Sequence, residues 1–250
     1  MSGHSKWATT KHRKAAVDQA RAKSFAKLIR LLEVAAREGG SDLTSNATLR
    51  SMFEKARSAS VPMDTIERAI KRGSGELEGV RYEQVNYEGY APGGVAIIVE
   101  TLTDNRNRTG SEVRNVFSRS GGSMAEPGAV SWQFERKAVI ELPRSLDEDK
   151  VMEVAMEAGA EDLSDDGDHW VVTAAPTDLG AVRAGLEAAG MTVESAEPAM
   201  VASTTVPVTE VGEARQVLRL LEALDDHDDV QNVWSNFDMP DDVMAAAAAD

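Results

Sequence analysis

The 250-residue chain contains no cysteine, which removes disulfides, thiolate nucleophiles and cysteine-ligated zinc together. Its four histidines, His4, His12, His169 and His227, are scattered, and none falls at HxxxH spacing. No GxSxG stretch is present, and no feature singles out one of the many acid pairs as a catalytic pair. The inventory therefore names no catalytic residue, and an enzyme is not expected. Eighteen consecutive apolar residues occur nowhere, so no helical membrane span is expected. The early positive charges are not followed by the apolar core of a secretory signal. With 42% hydrophobic and 28% charged residues, the composition is that of a soluble globular protein of two or three domains. Its expected compartment is the cytoplasm, and its surface gives no reason to expect more than a monomer.

What is abundant is charge, and it is divided unevenly. Residues 1–72 carry 15 Lys and Arg against seven Asp and Glu, whereas residues 73–250 carry 12 against 35. A basic segment on an acidic remainder is the pattern of a chain that meets a polyanion at one end. The basic end opens with "SGHSKWATTKHRKAAVDQARAKSFAKL" (Ser2 to Leu28). Lys6, Lys11, Arg13, Lys14, Arg21, Lys23 and Lys27 supply cations there, His4 and His12 further donors, and Trp7 an aromatic able to stack on a base. The plain alternative is a solvated basic surface with Trp7 folded back. Phosphate contacts position a protein without specifying sequence, so no base preference can be read.

Apolar residues at Phe25, Leu28, Ile29, Leu32 and Ala36 mark one buried helical stripe, with Lys23, Lys27, Arg30 and Arg37 on the opposite side. Leu49, Met52, Phe53 and Ala56 mark a second helix, and Ile66, Ala69 and Ile70 a third. Residues 2–22 would place Lys14 and Arg21 on the apolar side, so they are expected to project beyond the bundle. "GSGELEG" (Gly73 to Gly79) is a linker by composition. The texture then becomes α+β. "GVAIIVETL" and "AVSWQFE" read as strands, and a helix between them opens with a capping box from Thr109 to Glu112. "AVIEL" begins a β-α-β-β-α-β unit with a short strand near Ala160 to Leu163, the ferredoxin-like plan. "TTVPVT", a helix from about Val211 and "VQNVWSNF" add β-α-β. The expected domains are a helical 1–78, a discontinuous α/β domain of 79–135 plus 201–240, an inserted ferredoxin-like domain of 136–200, and a disordered tail of 241–250.

Arg106 and Arg108 in "TDNRNRT" sit at a helix N-terminus, where two cations oppose the helix dipole unless an anion arrives. They are a candidate second phosphate contact, against the simpler reading of a polar turn. "DLSDDGD" (Asp162 to Asp168) lacks the twelfth-position Glu of a calcium loop and reads as an acidic hairpin. "DDHDD" (Asp225 to Asp229) reads as a solvated loop, and "GYAPGG" as a turn without phosphate-loop spacing. No metal or cofactor is expected.

"GHSKW", "KHRKAA", "DNRNRTGSEVRNVFSRSGG" and "SWQFERK" together closely resemble the YebC family, which includes the mitochondrial translational activator of cytochrome c oxidase subunit I. The resemblance covers residues 2 to about 240 and thins across 140–200. It implies three domains and a cytoplasmic DNA-binding regulator of transcription, acting on duplex DNA through the arm and first helix. Other members of the family look like translation factors, which makes ribosomal RNA the alternative partner. Ala8-Thr9-Thr10 and Ala22 depart from the family pattern without removing a charge. The chain begins "MSGHSKW", so a bacterial-type protein without an organellar leader is expected.

Overall fold

A computed structural model describes residues 17–248, with side chains from residue 23 onward. Three helices come first: α1 (Val17–Gly39), α2 (Ala47–Ser58) and α3 (Met63–Ser74). Leu32, Ala35 and Ala36 of α1 are buried with Leu49 and Ala56 of α2 and Ile66 and Ala69 of α3. This is the core that the three apolar stripes predict. Past the end of α1, Gly40 adopts φ 85°, which only glycine takes cheaply, and its N–H returns to the Ala36 carbonyl at 3.0 Å. Asn46 then serves two helices at once. Its side-chain oxygen accepts the Leu49 N–H at 2.9 Å, capping α2, and its amide donates to the carbonyls of Ala35 and Gly40 at 2.8 Å. Where α3 crosses α1, a Cβ on Gly73 would lie 2.3 Å from the Glu33 carbonyl oxygen. Beside that crossing, Arg72 Nε donates to the buried Glu33 carboxylate at 2.6 Å.

Residues 75–81 form an exposed linker. The chain continues through β1 (Glu83–Tyr90), β2 (Ala96–Thr103), α4 (Arg106–Arg119) and β3 (Ser123–Ala125). Next come β4 (Phe134–Pro143), α5 (Glu148–Glu157), β5 (Asp162–Asp165), β6 (His169–Ala174), α6 (Leu179–Ala188) and β7 (Ser195–Ala202). Then follow β8 (Val206–Pro207), α7 (Val211–Asp225), β9 (Val230–Ser235), β10 (Phe237–Asp238) and α8 (Asp241–Ala248). The architecture is α+β, helices first and then two four-stranded antiparallel sheets.

One sheet has the order β3-β1-β2-β9, so a strand from beyond residue 200 pairs with the hairpin that precedes residue 104. Every residue of β2 is buried, because both faces of this central strand are covered. Ile97 and Val99 face α4 and α7 through Val113, Phe117, Val217 and Leu221. Ala96 and Ile98 face Val130, Phe134 and Trp234 on the other side. The second sheet, β5-β6-β4-β7, has the strand order of the ferredoxin-like plan. Its strands run from Phe134 to Ala202, slightly beyond the expected 136–200.

Four local expectations are corrected. "AVSWQFE" is not a strand of the first unit: Ser131–Gln133 is a 3-10 turn, and Phe134 opens β4 of the second sheet. The cause is Glu88, a buried carboxylate on β1 that accepts the N–H groups of Gly128, Val130 and Ser131 at 2.8, 2.6 and 2.9 Å. Those amides are committed to a side chain, not to a ladder. Helix α4 starts earlier than the expected capping box. Its cap is Asn105, which accepts the Arg108 N–H at 3.1 Å. "TTVPVT" contributes only β8, paired in parallel with β10. Residues 241–248 are no frayed tail but helix α8, whose Met244 and Ala247 are buried against the α7 side of the core.

Two predictions follow from this packing. Gly73→Ala forces a methyl against backbone at the α1–α3 crossing and should cost about 1–3 kcal/mol, read as a lower thermal midpoint. Burial opposes ionisation of Glu88, but its three N–H donors outweigh that and hold its carboxyl below the usual range. A depressed folded pKa gives stability that is full above the ordinary glutamate value, about 4.3, and lost as pH falls through the folded value. Glu88→Gln should therefore cost about 1–3 kcal/mol at neutral pH and flatten the acid limb of the stability profile, as chemical denaturation at several pH values would show.

Candidate nucleic-acid interface

Helix α1 presents Lys23, Lys27 and Arg30 at i, i+4 and i+7, a single row on the side away from its core stripe. The loop that leaves α7 presents Asp225, Asp226, His227, Asp228 and Asp229. The two meet. Lys23 Nζ lies 3.0 Å from Asp226 Oδ1 and donates to the Asp226 carbonyl at 3.2 Å. Lys27 Nζ lies 3.2 Å from Asp225 Oδ1 and donates to the Asp225 carbonyl at 3.0 Å. Arg30 reaches Asp229 Oδ1 at 3.2 Å and also donates to the Asp228 carbonyl. The reading of "DDHDD" as a solvated loop is thus wrong: the loop is the seat of the helical domain. Hydrophobic periodicity could not show this, because the loop has none.

Asp229 is the centre of the arrangement, with a relative exposure of 3%. Its Oδ2 accepts from Thr109 Oγ1 at 2.6 Å, Arg108 Nη2 at 2.7 Å and Thr103 Oγ1 at 3.3 Å. Its carbonyl accepts the Leu102 N–H at 2.8 Å, fixing the loop to the end of β2. Burial raises the cost of ionising this carboxyl. The hydrogen bonds from Thr109 and Arg108, then the charges of Arg108 and Arg30, outweigh it and hold the carboxyl below the usual aspartate range. Arg108 also pairs with Asp104 at 2.9 Å. The anion that the α4 N-terminus calls for is therefore one of the chain's own side chains.

His227 bridges α4 and the loop. Its Nδ1 accepts the Asp229 N–H at 3.1 Å, so Nε2 carries the proton and donates to Glu112 at 3.0 Å. Glu112, His227 and Asp229 bring three ligand-type atoms close together. The two guanidinium groups on Asp229 and the N–H on Nδ1 fill the directions a metal would need, so the trio does not fit a cation. A polar cleft of about 610 Å³ opens beside them, lined by Arg30, Tyr82, Arg108, Asn115 and the acidic loop.

Of the sequence-predicted binding residues, Lys6, Trp7, Lys11, His12, Arg13 and Lys14 lie outside the described residues. Arg21 falls within α1, with its side chain outside them. Lys23 and Lys27 stand together in the row just described, and Arg108 joins the same network from the other side. Arg106, two residues before Arg108, is exposed, its carbonyl accepting the Tyr87 hydroxyl at 3.2 Å. Sequence reasoning missed Asp229 and Arg30 as partners. It also missed Trp132, 72% exposed, whose indole N–H is tied to the Ala129 carbonyl at 3.0 Å. The complementary charge of "DDHDD" and the α1 row was the available signal, but composition carries no distance.

Asp229→Asn should weaken docking of the helical domain by about 1–3 kcal/mol, seen as faster amide exchange along α1 while the two sheets keep their protection. Thr109 and Arg108, which do most to lower this pKa, belong to the body and stay when α1 leaves, so only the Arg30 charge links ionisation to docking. That contribution is present while Asp229 is ionised and is lost as pH falls through its depressed folded value. The same exchange experiment on the unmodified chain should release α1 before the sheets only as pH falls below the ordinary aspartate range.

The comparisons with known proteins cover this whole arrangement. Residues 5–76 match the family model described as "TACO1/YebC protein N-terminal domain", and residues 82–237 match "TACO1/YebC second and third domain". A protein of Kineococcus radiotolerans named "Probable transcriptional regulatory protein" is 54% identical over 250 residues, covering 98% of each chain. A protein of Mycobacterium tuberculosis with the same name is 54% identical over 248 residues, again covering 98% of each. The crystal structure of a conserved hypothetical protein from Aquifex aeolicus superposes with a TM-score of 0.82 at 46% identity, covering 91% of this chain and 94% of that one. Matches to both family models, spanning the helical bundle and both sheets, mean that this chain belongs to the TACO1/YebC family.

Proposed function

We propose that the protein is a non-enzymatic, cytoplasmic regulator that binds nucleic acid through its basic N-terminal arm and α1, and that it acts on transcription through duplex DNA. The observation that carries this reading is the division of charge between the two ends of the chain. Eight of the first thirty residues are Lys or Arg and one is acidic, while residues 73–250 hold 35 acidic residues against 12 basic ones. A polyanion is drawn to one end of such a molecule and repelled by the rest. In α1 the cations stand in a row, the arrangement a line of phosphates requires. The regulatory names of the relatives point the same way.

A second reading, ribosomal RNA as the target of the same residues, is favoured by one feature of α3. After α2 and a short turn, α3 occupies the place of a groove-reading helix, yet Arg68 pairs with Asp64 and Arg72 with Glu33. A helix with its charge balanced inside its own domain offers little to a major groove, which favours recognition by shape and backbone.

Lys11→Glu combined with Lys14→Glu should lower affinity at least about 100-fold and make the salt dependence shallower by about two phosphates, with an unchanged circular dichroism spectrum. Fluorescence anisotropy with a labelled duplex DNA and a labelled ribosomal RNA hairpin measures both. Unaltered affinity in the folded double variant would remove the arm from the interface. Sequencing of nucleic acid crosslinked to the chain in growing cells then separates promoters from ribosomal RNA.

A further inference from the structure

We propose that the acidic loop 225–229 is a built-in competitor for nucleic acid, a latch that occupies the α1 cation row until a polyanion displaces it. The inference rests on the reading of α1 as a phosphate-binding element. Each cation in the row already has the partner that a phosphate would be. Lys23 and Lys27 each hold one carboxylate and one carbonyl of successive loop residues, and Arg30 holds Asp229 and the Asp228 carbonyl. Along the helix the three positions are spaced by about 6 and about 4.5 Å, so the loop lays a short line of negative charge against a line of positive charge. A nucleic-acid backbone is a denser version of the same line.

The two sides of the latch are held unequally. On the body side, the loop is anchored by buried contacts: Asp229 to Thr109 and Arg108, and its carbonyl to Leu102 in β2. On the α1 side the grip is graded: the Lys23 and Asp226 side chains are 35% and 72% exposed, whereas Lys27 with Asp225 and Arg30 with Asp229 are more enclosed. The outermost pair, Lys23 with Asp226, is of the solvated kind that is individually weak and salt-sensitive, so the row can begin to open there. Opening should therefore occur between α1 and the loop, leaving the loop on the sheet. Further links among the described residues are Lys55 to Glu197 and Arg30 over the Tyr82 ring, while Arg37 donates to the Val80 carbonyl in the linker itself. The apolar core of the helical domain contains residues of that domain alone, and residues 75–81 give an exposed hinge. Domains joined in this way move relative to one another by default.

The test is a mutant cycle on the full-length chain, with labelled duplex DNA and a labelled RNA hairpin as probes. Asp225→Asn with Asp226→Asn should tighten binding about tenfold, because the competitor is disarmed while the cations remain. In a Lys23→Met, Lys27→Met background, the same two Asn substitutions should give no gain, since Asp225 and Asp226 then hold no cation of the row. A gain that persists in that background is a general charge effect and overturns the latch. Equal affinity of wild type and the Asn variant, with wild type binding, overturns the latch and leaves the proposed function standing. If the Asn variant binds while the wild type does not, the latch is upheld at its strongest. If neither binds either probe, the latch and the function fall together. Circular dichroism of each variant confirms that the fold is kept.

Discussion

The placement of the helical domain depends on one buried carboxylate. Asp229 receives Arg30 from α1 on one oxygen and Arg108, Thr109 and Thr103 from the body on the other. A carboxylate taken out of water is tolerated only where its acceptor positions are filled, and here the donors come from two domains. The aspartate is therefore satisfied in full only when the domains are docked. The linker is exposed and the apolar cores are separate, so this polar junction decides where the helical bundle sits.

Much of the fold was legible because its determinants are local. The stripe from Phe25 to Ala36 specifies a helix and its buried face whatever surrounds it. The β-α-β-β-α-β rhythm between Ala138 and Val201 carries its own strand order, since right-handed crossovers leave few alternatives. The apolar residues of "GVAIIVETL" likewise announce a strand, and the fold adds that both its faces are covered. What sequence could not show was the long-range partner of a polar side chain. Glu88 turns residues 128–131 into a loop from 40 residues away, and an apolar run ending in "WQFE" looks the same with or without that carboxylate.

The candidate site shows the same division more sharply. Two arginines at the start of α4 did signal an anion, and one is there. Nothing in "TDNRNRT" says that the anion comes from residue 229 and not from a ligand. Lys23 and Lys27 were legible as cations on the outer side of α1, and their engagement with Asp226 and Asp225 was not. A basic helix face and an acidic loop each look solvated when read alone. Their complementarity becomes information only once the fold brings position 23 beside position 226.

On the proposed function, that complementarity also bears on how so acidic a chain would discriminate among polyanions. A phosphate that takes Lys27 from Asp225 releases a counterion condensed on the nucleic acid, whereas a single carboxylate condenses none in return. The exchange of one ion pair for another is thus driven toward nucleic acid at low salt and back toward the loop as salt rises. Only a ligand with a high linear charge density gains from it, because a sparse anion releases no condensed ions to offset opening the junction. The acidic body then adds repulsion for any anion that does not reach the arm and α1 together. On the proposed function, selectivity for nucleic acid over other anions would follow from charge density and reach, without a single base contact.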